Sequence, residues 1–257
     1  MRASFADNAS SWLRKRPEGR FWEVDLVRGL AVIMMIAFHA VFDLHFFGLV
    51  QLDPYSGWLG SLAYATAILF LGLVGVSLSL SHARPSPHLG GRPLFWKYLA
   101  RGGRIFILGL VVTLATWICL GRGFVIFGVL HCIGLSIILA YPFLSRRSLS
   151  MVTAIPVIVL GVWLYSISFD FSFLLWLGFA PADLYTVDYF PLLPWFGVVL
   201  LGLALGGWLY PKGQRRYDMP SPSGHFAVGG LAFLGRYSLI IYFLHQLVLI
   251  SVISLIA

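Results

Sequence analysis

Charge is scarce in this sequence. Only 11% of its 257 residues are Asp, Glu, Lys or Arg, against about a quarter in an ordinary soluble domain. A water-facing globule of this size would lack the charge to cover its surface, so that class is excluded. Cysteine is scarcer still. Cys119 and Cys132 both fall inside apolar runs and have no metal-ligand spacing; they read as packing residues and predict no metal site. The first twenty residues carry Arg2, Arg14, Lys15, Arg16 and Arg20, but no apolar core of signal-peptide length follows them. The first apolar run is long, begins near Val24 and lacks a small-residue cleavage site, so it reads as a retained span. No internal repeat is present.

What the chain has in abundance is apolar surface: 59% of its residues are hydrophobic and 16% aromatic. A helix needs about 20 apolar residues to cross roughly 30 Å of hydrocarbon. Segments near 24–47, 57–81, 99–120, 124–144, 150–169, 190–210 and 236–257 meet that length. Backbone groups in lipid must be satisfied internally, so these segments predict helices rather than open strands. Residues 171–180 are apolar but short, which suits a re-entrant or interfacial piece. The expected fold is therefore an all-α polytopic membrane bundle of about seven spans. A basic segment, 1–22, precedes one transmembrane domain, 23–257.

The basic residues orient the bundle. With the amino terminus in the cytoplasm, the inner segments 1–28, 82–104, 145–149 and 211–236 hold every Lys and Arg except Arg122, while Asp53, Asp170, Asp183 and Asp188 lie outside. The positive-inside rule selects this orientation and predicts an integral plasma-membrane protein, the inner membrane in a bacterium. The net charge of +8 is then a topology signal. No basic patch stands on a soluble domain, so a nucleic-acid partner is not expected.

The first span, VDLVRGLAVIMMIAFHAVFDLHFF, is rich in ionisable residues, which at membrane depth point to function. Arg28 and His39 are eleven positions apart. In a helix both lie on nearly one face, about 16 Å apart along the axis. Asp43 follows His39 by four and reaches the same face, and Asp25 precedes Arg28 by three, where it can pair with the guanidinium. A carboxylate beside an imidazole suits a general base or a nucleophile. An Arg at the inner mouth suits an anionic group such as a phosphate. The plainer alternative has Arg28 anchoring the helix at the headgroups and His39 bonding a neighbouring helix.

Four pieces of sequence carry a resemblance: RFWEVDLVRGLAVIMMIAFHAVFDLHFFG from residue 20, FGVLHCIGLS at 127–136, DYFPLLPWFGVVLLGLALG at 188–206 and LGRYSLIIYFLHQ at 234–246. In this order they resemble the transmembrane acyltransferases. They are most similar to the bacterial branch related to the catalytic domain of heparan-alpha-glucosaminide N-acetyltransferase, over about residues 21–250. The resemblance implies that acetyl-CoA or another acyl-CoA binds from the cytoplasm and that its acyl group passes to an acceptor, a sugar by expectation, on the far side. It implies His39 as the reacting imidazole and Arg28 at the CoA mouth. The lysosomal members place their essential His further along, so His45 competes with His39 for the role of base.

Other positions supplement these. Arg101 and Arg104 open the third expected span and suit the phosphates of CoA; the alternative is that they bind lipid headgroups. His131, in the fourth span, reads as a pocket wall or a helix-bridging residue, and His245 and Gln246, in the last span, suit the lining of an acyl tunnel or a bridge between helices. Asp188 and the aromatic residues of 169–195 suit a carbohydrate at the outer face; an aromatic belt is the alternative. The leading expectation is an acyl-CoA-dependent O- or N-acyltransferase of glycans, with membrane lipid, acyl-CoA and a carbohydrate acceptor as partners and a homodimer compatible with it. A secondary transporter of a small anionic or proton-coupled solute, using Asp43, His39 and His131 as a relay, is the alternative. It lacks the paired repeats that mark many transporter cores. A purely structural subunit would not need these clustered ionisable residues.

Overall fold

The computed structural model describes residues 20–84, 92–219 and 226–256. Among them are eight α-helices: α1 (Trp22–Phe46), α2 (Gly57–Ala83), α3 (Arg92–Leu120), α4 (Val129–Leu139), α5 (Arg147–Leu164), α6 (Leu192–Leu209), α7 (Phe226–Arg236) and α8 (Ser238–Ile253). The all-α membrane bundle expected from composition is what forms. Five helices, α1, α2, α3, α5 and α6, are long and apolar enough to cross a membrane, and α7 with α8 makes a sixth candidate bent by 86°.

The expected count of seven spans changes at two places. The apolar stretch 124–144 is helical only over the 11 residues of α4, about 16 Å and half a crossing. Gly121 and Gly123 turn the chain with φ of 64° and 78°, and Pro142 starts a 3₁₀ turn beyond α4. In the last stretch, α8 begins only after Tyr237, and α7 precedes it as a separate helix. The short apolar piece 171–180 forms no more than the 3₁₀ turn Leu175–Leu177. Residues 1–19 and the Gly90–Gly91 pair lie outside the described residues.

The chain divides into two compact units, 1–70 with 219–257, and 71–218, the boundary falling inside α2. In the first unit, α1 presents Asp25, Gly29, Val32, Ile36, His39 and Asp43 at alternating steps of four and three, the stripe of a helix with one packed face. Two glycines let α7 come within backbone contact of this stripe. A Cβ on Gly29 would overlap the carbonyl of Leu231, and one on Gly235 would overlap the carbonyl of Asp25. Close backbone approach through small residues is how helices gain contact when lipid supplies no hydrophobic drive. Further along α1, Ile36 lies by Ile241, His39 by His245 and Asp43 by Gln246. The two helices therefore run in the same direction.

In the second unit, Gly102 and Gly134 bring α3 and α4 together, and Gly161 admits the Leu193–Pro194 peptide at the start of α6. Between α3 and α4 the chain runs extended, and its polar groups are all the more costly to leave unmatched. They find specific partners. Val125 N–H donates to Thr116 Oγ1 at 3.0 Å, Thr186 Oγ1–H to the carbonyl of Phe124 at 2.7 Å, and Val187 N–H to Gly123 at 2.9 Å. Asp188 Oδ2 accepts from Val129 N–H at 3.0 Å, capping the first turn of α4, where a negative charge opposes the helix dipole favourably. Burial nonetheless pushes the Asp188 carboxyl up to about 6, with the Val129 bond as the opposing influence.

Two predictions follow from this packing. Gly235→Val should destabilise the protein by about 1–3 kcal/mol through overpacking. Gly230→Val on the same helix, where nothing lies within 4 Å, should leave stability unchanged; denaturant unfolding in detergent compares the two. Asp188 holds its proton in the folded state between its ordinary 3.8 and about 6. Its contribution to stability should therefore be greatest below this window and fall as pH rises through it, by roughly 3 kcal/mol at most. Asp188→Asn, which keeps an acceptor for Val129, should remove that component from a pH series of unfolding curves.

Candidate functional site

Three histidines of the bundle differ in what their ring nitrogens hold. His131 Nδ1 accepts from Gly128 N–H at 3.2 Å, and its Nε2 faces Thr113 Oγ1 at 3.5 Å. A nitrogen that accepts carries the lone pair, so the proton sits on Nε2. His131 is buried between the rings of Phe106 and Phe127. With both nitrogens turned to its own surroundings, it is a cap for α4.

His39 is arranged the other way round. Its Nδ1 lies 2.9 Å from the carbonyl of Met35, one turn earlier on α1. A carbonyl only accepts, so Nδ1 bears the proton and Nε2 keeps the lone pair. His245 repeats the pattern on α8, with Nδ1 2.7 Å from the carbonyl of Tyr242. The two rings meet edge to face, centroids 4.8 Å apart. The helix backbone thus fixes both imidazoles in the tautomer that offers Nε2 as a base.

Asp43 completes this cluster from α1 and is 2% exposed. Sequence spacing places it within reach of His39, but its hydrogen bond is with Gln246, whose Nε2 donates to Asp43 Oδ1 at 2.7 Å. An interhelical bond of this kind is worth on the order of 1 kcal/mol between membrane helices. It also fixes the amide, because a carboxylate accepts and so must face the nitrogen. Gln246 Oε1 is left over, and it is buried without a hydrogen-bond partner, as are Asp43 Oδ2 and His245 Nε2. An unmatched buried acceptor costs about 1–3 kcal/mol, and these three, on neighbouring residues of α1 and α8, leave room in the hydrogen bonding for a donor group. On its other flank His245 borders an open apolar pocket of about 260 Å³ with Ile36, Ile241, Leu244, Val248 and Leu249.

Towards the start of α1, Asp25 is buried and held by two guanidinium groups, Arg28 at 3.0 Å and Arg20 at 3.1 Å. His45 stands apart from the cluster. It is exposed at the end of α1, with Nδ1 3.3 Å from the carbonyl of Val50.

The remaining sequence-predicted residues lie in the second unit. Arg101 is half-buried on α3 and Arg104 is exposed one turn on. Among the described residues neither has a carboxylate within ion-pair distance. Asp188 and His131 come together around Gly128, where a Cβ would overlap Asp188 Oδ2. Gln246 bridges two helices, one of the two roles its place in the last span suggests, but its partner was not legible. Its neighbour His245 was the signal, but the carboxylate it bonds lies 203 positions away.

Comparison with known proteins identifies the family. The model of the heparan-alpha-glucosaminide N-acetyltransferase catalytic domain matches residues 20–247, a range that includes Arg28, His39, Asp43, His131, Asp188, His245 and Gln246. No curated protein and no solved structure matches the chain. A match over so much of the sequence places it: the chain belongs to the family of heparan-alpha-glucosaminide N-acetyltransferase catalytic domains, the membrane acetyltransferases.

Proposed function

We propose that this protein transfers an acetyl group from cytoplasmic acetyl-CoA to the amine of a carbohydrate at the outer face, with its amino terminus in the cytoplasm. The observation that carries this reading is the set of three buried acceptors without partners, Asp43 Oδ2, His245 Nε2 and Gln246 Oε1, beside His39. A group rich in N–H or O–H donors satisfies them, and an amine does so best. The family's own name specifies an amine acceptor.

In this reading His39 is the base. Its Nε2 lone pair takes a proton from the acceptor nitrogen as that nitrogen attacks the thioester carbonyl. The C–S bond then breaks, and the proton passes to the departing thiolate. Asp43 and Gln246 bind the acceptor by its N–H groups, while the Met35 carbonyl keeps the imidazole in register. Arg28 in the first unit supplies positive charge for a phosphate of CoA, and Arg101 and Arg104 in the second unit are separate candidates for the same role. For Arg101 and Arg104 the support is the lack of a carboxylate partner among the described residues. A long cation without one suits a phosphate.

General base catalysis is worth about 10²–10⁴ in rate. His39→Ala should therefore lose acetyl transfer by about that factor while still binding acetyl-CoA, and His45→Ala should stay near wild type. Radiolabelled acetyl transfer and equilibrium binding in detergent measure both. Arg101→Gln and Arg104→Gln should each weaken CoA binding about 10- to 100-fold, the loss of one charge-assisted hydrogen bond. A well-folded wild type that binds no CoA would overturn the acyltransferase reading in favour of a transporter.

A further inference from the structure

An acceptor that arrives as an ammonium ion must lose two protons before it becomes an amide, and one base cannot hold both. The overall change is R–NH₃⁺ plus acetyl-S-CoA giving R–NH–acetyl, HS-CoA and one free proton. One of the two protons ends on the thiol, and the other must be removed before the nitrogen has a lone pair with which to attack. The cluster on α1 and α8 contains a second base for this purpose. His245 carries its proton on Nδ1, held by the Tyr242 carbonyl at 2.7 Å, and its Nε2 is buried with no partner. Its ring is 4.8 Å from that of His39 and it is 8% exposed.

We propose that His245 is a second proton acceptor of this site: it takes the first proton from an ammonium-form acceptor, leaving His39 free to take the second during acyl transfer. The proposal rests on the acetyltransferase reading above. The first N–H bond breaks with its electron pair left on nitrogen, and the proton goes to His245 Nε2. The N–C bond then forms as the C–S bond breaks, and the second proton goes through His39 Nε2 to sulfur. The titratable groups that face His245 are His39, ring to ring at 4.8 Å, and Tyr242 on its own helix; two adjacent imidazolium charges repel, so the proton that His39 takes must pass on to sulfur as the C–S bond breaks. Asp43, the next position along the stripe from His39, bonds Gln246, the residue after His245, and so adds a buried carboxylate to the same cluster. Tyr242, whose ring lies 5.8 Å away on the same helix, holds the imidazole by its carbonyl. Gln246, fixed against Asp43, presents an acceptor and adds no competing proton.

The arrangement separates His245 from a merely structural histidine. His131 spends one nitrogen on the first turn of its own helix and turns the other to Thr113 of α3, whereas His245 spends one and keeps the other buried and unmatched. If its purpose were packing alone, an aliphatic side chain would fill the same place without leaving an orphaned acceptor.

The test is the pH dependence of acetyl transfer by the full chain in lipid nanodiscs, with acetyl-CoA as donor and glucosamine as probe acceptor. Below the pKa of the amine, His245→Gln should lower kcat/KM by about 10²-fold. Above it, where the amine arrives already deprotonated, the variant should recover towards wild type. His39→Gln should stay inactive throughout. A His245→Gln profile parallel to that of the wild type, or a loss that persists at high pH, would overturn the proposal. Should the variant fail to fold, the wild-type profile decides: a level kcat/KM below the amine pKa supports enzymic deprotonation, and a rise of one decade per pH unit that tracks free amine overturns it. A wild type that transfers no acetyl group at all overturns the acetyltransferase reading and this proposal with it.

Discussion

Where lipid replaces water as the solvent, each peptide N–H and C=O has to find its partner within the protein. That constraint makes helices of the long apolar runs, and it governs the one stretch that leaves a helix between α3 and α4. There the work of water passes to side chains. Thr116, Thr186, Asp188 and His131 each take up a polar group of residues 124–129. Asp188 bears a cost for this, since burial makes its charged form unfavourable. His131 gives up both of its nitrogens.

The same constraint sets the chemistry of the other two histidines. A carbonyl three or four residues back along the helix captures the Nδ1 proton of His39 and of His245. Each ring is then held in one orientation with its basic nitrogen turned away from the backbone. No carboxylate is needed to choose the tautomer, which frees Asp43 to bond Gln246 and to keep its second oxygen in reserve. The functional difference between these histidines and His131 therefore lies in which atom the backbone engages. Depth in the bundle does not distinguish them, because all are buried or half-buried.

Run length made α1, α2, α3, α5 and α6 readable from sequence, because each is a long apolar stretch with basic or turn residues at its ends. The same averaging hid the short α4. An extended apolar segment such as 124–128 is as hydrophobic as a helix, and only its tertiary hydrogen bonds separate the two. α7 was missed because its 11 residues, FAVGGLAFLGR, sit among glycine and basic residues that read as a loop. Periodicity placed Arg28, His39 and Asp43 on one face and paired Asp25 with Arg28. It could not pair Asp43 with Gln246, since a partner on another helix leaves no mark on local spacing. Six residues beyond His39, His45 has left the packed stripe for the helix end.

α1 is one uninterrupted helix from Trp22 to Phe46, and it carries both Arg28 and His39. Each residue added to or taken from the ten between them would move His39 only about 1.5 Å along the axis, but would turn it through about 100°. Rotation would carry its Nε2 away from His245 long before translation altered the reach to Arg28. The segment between them acts as a dial more than as a ruler. Over evolutionary time it can exchange one apolar side chain for another on its lipid-facing side, yet single insertions and deletions are closed to it.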